Sequence, residues 1–219
     1  MKYLKLVEVC YNRDGSSTAL GSHTMTPSST QSNTPREGLK WVKIRRFLTL
    51  PFSPKSLKTY LAVRQFEDVP IDRLVADGIK GVLLDADGTL GPHHTREFSA
   101  PVRDHVAKMI AAGLRVAIYT NAMEDRFDAF EGVAIVTDVP PKPDPRGFEI
   151  AMKQYLQLDD PATVCMIGDN YITDGGAIDA GMRFIHVQPV PGPENFFHRA
   201  TRALACRIAR WYFSINPSK

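Results

Sequence analysis

Between residues 69 and 187 short apolar runs alternate with segments of helical periodicity. Five runs read as strands: 80–85, 114–119, 132–136, 163–168 and 183–187. Their apolar residues are contiguous, the pattern of strands covered on both faces. Residues 70–78 read as a short helix that stops at Gly78. Residues 100–112 carry Val102, Val106, Met109 and Ile110 at helical spacing, with Gly113 as the stop. Residues 123–130 read as another short helix, and Pro145 suits the first turn of the next. The stripe of that helix is Phe148, Ala151, Met152, Tyr155 and Leu156, with Ile150 outside it. A further helix begins near Asp174. Strands that alternate with helices imply an α/β domain, its sheet mostly parallel and covered by helices on both faces. Ligands of such sheets bind beyond the carboxyl ends of the strands.

The flanks have a different pattern. Residues 11–35 are rich in Ser, Thr, Gly and Asn without apolar periodicity, and residues 1–35 are expected to be a disordered leader. Residues 36–50 set Leu39, Trp41, Val42, Ile44, Phe47 and Leu48 among Lys40, Lys43, Arg45 and Arg46, and Pro51 and Pro54 end the segment. Residues 194–212 form a second basic amphipathic helix, with Phe197, Leu204, Ile208, Trp211 and Tyr212 as its apolar residues among Arg199, Arg202, Arg207 and Arg210. Each helix has two readings: its apolar stripe packs on the domain, or it lies in a membrane interface with basic residues toward headgroups. The expected organisation is a leader (1–35), a basic N-terminal segment (36–64), a catalytic domain (65–192) and a basic C-terminal helix (193–219).

Charge sharpens this division. The net charge of +3 hides a body, residues 65–194, with 11 Lys and Arg against 21 Asp and Glu. Residues 36–64 carry 8 against 1, and residues 195–219 carry 5 against none. An acidic body between two basic segments suits an anionic surface as partner. No recognition motif points to nucleic acid. The three cysteines, Cys10, Cys165 and Cys206, have no metal or disulfide spacing, which suits a reducing compartment. No apolar run is long enough to span a bilayer, and Lys5 and Glu8 interrupt the stretch after Met1. The expected location is cytoplasmic, peripheral at the membrane surface.

Candidate chemistry gathers at the strand ends. The first strand runs into Asp85-Ala86-Asp87-Gly88-Thr89. Residues two apart on a strand share a face, so the two carboxylates leave together and call for a cation between them or a proton on one. The second strand ends in Thr120-Asn121, whose hydroxyl and backbone N–H groups suit phosphate oxygens or a helix cap. Lys142 is held between prolines in Pro140-Pro141-Lys142-Pro143-Asp144-Pro145. The fourth strand ends in Gly168-Asp169-Asn170, with Asp174 further along the loop. Acids that leave buried strands beside glycine are metal-ligand candidates, and Asp174 also suits a helix N-cap. His93 and His94 fall in the polar loop 91–98 after the first motif.

In their order and placement these four segments closely resemble the motifs of the haloacid-dehalogenase (HAD) superfamily of phosphatases, over roughly residues 45–190. The Lys-Pro and Gly-Asp-Asn segments and the compact spacing look like its subfamily IIIA, which includes phosphatidylglycerophosphate phosphatases. Gly88 stands where many of those relatives have Asn. The resemblance implies a Rossmann-like fold and two-step phosphoryl transfer. Asp85 is then the nucleophile that forms an aspartyl-phosphate, and Asp87 the general acid and base. Thr120, Asn121 and Lys142 bind the phosphate. Mg2+ is held by Asp85, the Asp87 backbone carbonyl and Asp169, with Asp174 orienting its shell.

The substrate expectation comes from the gaps. Residues 90–119 and 122–141 are used up by ordinary elements, with no room for a large cap domain. An uncapped site flanked by two basic, Trp-bearing segments suits a phosphatidylglycerophosphate-like lipid in an anionic bilayer. Its rivals are a soluble phosphatase of a small sugar or nucleotide phosphate, closed by oligomerisation, and a non-catalytic binding module on the same fold.

Overall fold

The computed structural model describes residues 36–121, 127 and 129–213, with the backbone alone for 36–40. The leader read over 1–35 and most of the helix read over 123–130 lie outside the described residues. Six strands among the described residues form one parallel sheet: β1 Leu61–Val63, β2 Gly81–Leu84, β3 Arg115–Ile118, β4 Ala134–Ile135, β5 Val164–Gly168 and β6 Arg183–Val187, in the order β1-β6-β5-β2-β3-β4. The helices are α1 Arg36–Thr49, α2 Ile71–Ala76, α3 Ala100–Ala111, α4 Pro145–Ile150, α5 Gly176–Asp179 and α6 Phe196–Phe213. The sheet is the Rossmann-like α/β arrangement expected from the strand pattern, all-parallel where the sequence read mostly parallel. β2 and β5, the middle pair, are buried along their whole length. This is why their sequences run apolar without alternation.

Successive residues of one strand serve opposite cores. Val82, Leu84, Cys165 and Ile167 pack with Leu74 of α2 and Val102, Val106 and Met109 of α3. Leu83, Val164 and Met166 face the other way, onto Phe148, Ala151, Met152 and Leu156. The α3 boundaries follow local chemistry: Ser99 Oγ accepts from the Val102 N–H, and Gly113 turns the chain at φ +86°. β3 and β5 flank β2 on opposite sides, so the chain switches direction beside β2 and a crevice opens past its carboxyl end.

β1 is absent from the sequence reading. It is three residues at the sheet edge, paired parallel to β6 with Leu61 opposite Ile185. A run that short carries no period to read.

The two basic helices form where expected, but each turns an unexpected face inward. α6 buries Arg202, Ala205 and Ala209, while Phe197, Leu204 and Trp211 are exposed, Trp211 by 77%. On α1, Arg46 is turned in and pairs with Asp179, and its Nε donates to the Tyr171 carbonyl. Trp41 (71%), Ile44 and Leu48 point to solvent. The apolar stripes therefore dock only in part: Phe47 and Ile208 pack against the core, while the other described apolar residues face solvent. Small residues let α6 lie close to the core, and the acidic body draws in Arg46 and Arg202. Arg45, Arg199, Arg207 and Arg210 stay outside.

His105 of α3 packs edge-on against Phe66, and among the described residues its Nε2 has no hydrogen-bond partner. Burial holds its pKa below the ordinary imidazole value. The unfolded chain then takes up the proton first as pH falls, so stability decreases below about pH 6.5. Urea unfolding at pH 7.5 and 5 is expected to show a larger drop for the wild type than for His105→Gln. An equal drop would contradict this role for the imidazole.

Candidate active site

Asp85 follows β2 directly, and its N–H continues the ladder to Ile167 of β5 at 2.9 Å. The chain then turns at Gly88, where φ is +85° and a Cβ would stand 2.6 Å from Asp169 Oδ2. A side chain here would meet both backbone strain and the acid opposite. Asp169 leaves β5 beside Asp85, as strand pairing predicts for the ends of neighbouring parallel strands. Asp174 is folded back: its Oδ2 accepts the Asn170 N–H at 3.1 Å and occupies the space a Gly168 Cβ would need. Gly168 is thus needed for close approach. Asp174 braces its own loop and is not the cap of α5, which begins at Gly176.

One lysine joins these acids. Lys142, only 2% exposed, donates from Nζ to Asp85 Oδ1 and Asp174 Oδ1, both at 2.6 Å. Its loop is anchored from β3. The Asn121 amide accepts from the Lys142 N–H at 2.9 Å and donates to the Lys142 carbonyl at 3.0 Å, and Tyr119 Oη donates to the Pro140 carbonyl at 2.5 Å. The Asn121 side chain is engaged in holding Lys142. Thr120 lines the cavity beside it. Asp87 also lines the cavity, and its Oδ1 accepts the His94 N–H at 2.8 Å.

The cavity, about 420 Å³, brings Asp85, Asp87, Thr120, Asn121, Lys142 and Asp169 together. It also includes residues from outside the sequence motifs. Arg202 reaches in from α6, with Nη1 2.5 Å from Asp169 and Nη2 2.7 Å from Glu194. Lys43 of α1 and His198 of α6 stand in the wall, together with His93 and His94. The sequence did hold a signal for Arg202. It shares one helix face with Ala205 and Ala209, at spacings of three and seven, and a small-residue face is one that can approach a core.

Carboxylate oxygens of Asp85, Asp169 and Asp174 lie within 4.8 Å of one another. Burial, then the Asp174 charge, push Asp85 up to about 7 even with Lys142 beside it. The same causes, with the Asp85 charge added, hold Asp169 well above the carboxylate range despite Arg202. Burial alone would lower Lys142, but Asp174 and Asp85 outweigh it and hold the lysine above its ordinary value. Lys142 and Arg202 therefore leave the buried acids under-compensated. Converging, hard oxygen donors that lack positive charge fit a Mg2+-sized cation.

Residues 96–181 match the family model of haloacid dehalogenase-like hydrolases, a span that contains Thr120, Lys142, Asp169 and Asp174. Over this span the chain is similar to that class of hydrolase. No curated protein matches the sequence. Among solved structures, an uncharacterized protein from Listeria monocytogenes serotype 4b is 19% identical, with a TM-score of 0.42 over 54% of this chain and 85% of its own. The core domain of a candidate phosphoglycolate phosphatase from Streptococcus pneumoniae TIGR4 is 17% identical, with a TM-score of 0.37 over 52% of this chain and 89% of its own.

Proposed function

We propose that the chain is a Mg2+-dependent phosphomonoester hydrolase that works through an aspartyl-phosphate on Asp85. The observation that carries the reading is Asp85 at the sheet's switch point, in a cavity with a buried lysine, a second carboxylate and two further acids. Asp85 attacks phosphorus as the ester P–O bond breaks, and Asp87 gives its proton to the departing alkoxide oxygen. Asp87 then takes a proton from water, which attacks the same phosphorus, frees inorganic phosphate and restores Asp85. Lys142 supplies fixed positive charge for the phosphoryl oxygens, and Thr120 positions the group. Asp85, Asp169 and the Asp87 carbonyl would hold Mg2+, with Asp174 beside them. When bound, the ion offsets charge on the phosphoryl oxygens.

The substrate we propose is a phosphatidylglycerophosphate-like lipid, as in subfamily IIIA. Support comes from the outward apolar residues of the two basic helices and from Phe52, 86% exposed just after α1. Tyr212 Oη donates to the Pro51 carbonyl at 2.6 Å, which ties the end of α6 to that turn. Exposed Trp and Phe among exposed Arg suit an anionic bilayer. No helix among the described residues is long and apolar enough to cross a membrane.

The test is phosphate release from that lipid in anionic vesicles against p-nitrophenyl phosphate in solution. Release is expected to stop with EDTA and return with Mg2+, and to be faster on vesicles. Faster turnover of the soluble ester without vesicle binding supports the soluble reading, and no release from any ester removes the phosphatase.

A further inference from the structure

Lys43 stands in the wall of the same cavity, on a helix outside the motifs. It is half-buried, and among the described residues its ammonium has no hydrogen-bond or ion-pair partner. Burial and then the Lys142 charge lower its pKa, and Asp174 and Asp85 pull it only partly back. Those two acids are already engaged by Lys142. His198 stands close enough to feel the Lys43 charge, and it lines the same wall from α6. A lysine drawn out of water toward another lysine, without an acid of its own, is stabilised when an anion arrives between them. Lys142 is on the cavity floor beside the nucleophile. Lys43 is more exposed than Lys142, which places it nearer the cavity mouth.

We infer that Lys43, with His198 beside it, forms a second anion subsite, and that the substrate is a phosphomonoester whose alcohol portion carries a further acidic group. This deepens the phosphatase reading by naming what the leaving group must contain. A carboxylate or a phosphodiester would serve, because both present anionic oxygens to an ammonium.

The test measures binding, so its result does not depend on turnover. Calorimetry compares 3-phosphonopropionate with propylphosphonate, which has a methyl group in place of the carboxylate. The full chain with Mg2+ is expected to bind the carboxylate-bearing probe about tenfold more tightly, as one charge-assisted hydrogen bond allows. In Lys43→Met this preference falls to about one, and Lys43→Arg retains it. Thermal melting of both variants in the wild-type range assigns the loss to the subsite. Equal binding of the two probes by the wild type, or an unchanged preference in Lys43→Met, overturns the inference. So does an equal loss on both probes, which would place Lys43 on the transferring group. Hydrolysis then separates the sources of the acid. A larger Lys43→Met loss on lipid vesicles than on a soluble acidic phosphomonoester assigns it to a headgroup phosphodiester. A larger loss on the soluble ester assigns it to a small diacid, and either result upholds the subsite.

Discussion

Asp85→Asn is expected to leave a folded protein whose phosphatase turnover has fallen by about four orders of magnitude or more. The amide has the shape of the carboxylate but cannot form an acyl phosphate that water then opens, so the two-step route is closed. Folding is expected to survive because the change removes a buried charge from a group of three acids. In metal-free buffer the variant is expected to melt at or above the wild-type temperature. The check is phosphate release with Mg2+, alongside thermal melting and circular dichroism. Retained turnover would remove Asp85 as nucleophile, and an unfolded variant would mean that Asp85 organises the fold.

Lys142→Met is expected to affect both activity and stability. Turnover is expected to drop about a thousandfold, the upper range for loss of one fixed donor to the transition state. Asp85 and Asp174 lose their shared partner at the same time. Removing one member of a buried ion-paired group costs about 3–5 kcal/mol. The pH dependence follows from the sign of the shift. Asp85 already lies above its unfolded value at about 7 and moves higher without the lysine. A carboxyl whose folded pKa is raised loses stability as pH climbs from the unfolded value through the folded one. The deficit against wild type is therefore expected to grow from pH 5 to pH 8 in metal-free urea titrations. A constant deficit would mean that Lys142 acts by packing alone.

The central strands were legible because burial on both faces leaves an unbroken apolar run, and Val82–Leu84 and Val164–Ile167 show it. β1 was not legible, because three residues at an edge depend on β6 for their conformation. The motif positions Asp85, Thr120, Lys142 and Asp169 were legible because each follows a strand or sits in the loop beyond one. Asn121 follows the second strand as its sequence position implies, but its bonds to the Lys142 backbone depend on how the 140–145 loop folds back. Helix periodicity located α1 and α6 but left two readings for their apolar faces. The inward face was chosen by the charge of the whole body, a long-range term that no local window contains. This is why Arg202 and Lys43 entered the site unannounced.

The inward and outward cations of those helices differ in how ionic strength reaches them. Arg202 with Asp169 and Glu194 has little contact with solvent ions. Arg45, Arg199, Arg207 and Arg210 face the bulk, where the Debye length is about 8 Å at physiological salt. Added electrolyte is therefore expected to loosen the proposed hold on an anionic surface well before it disturbs the pocket. On the proposed membrane reading, attachment and chemistry share two helices, yet salt acts on them separately.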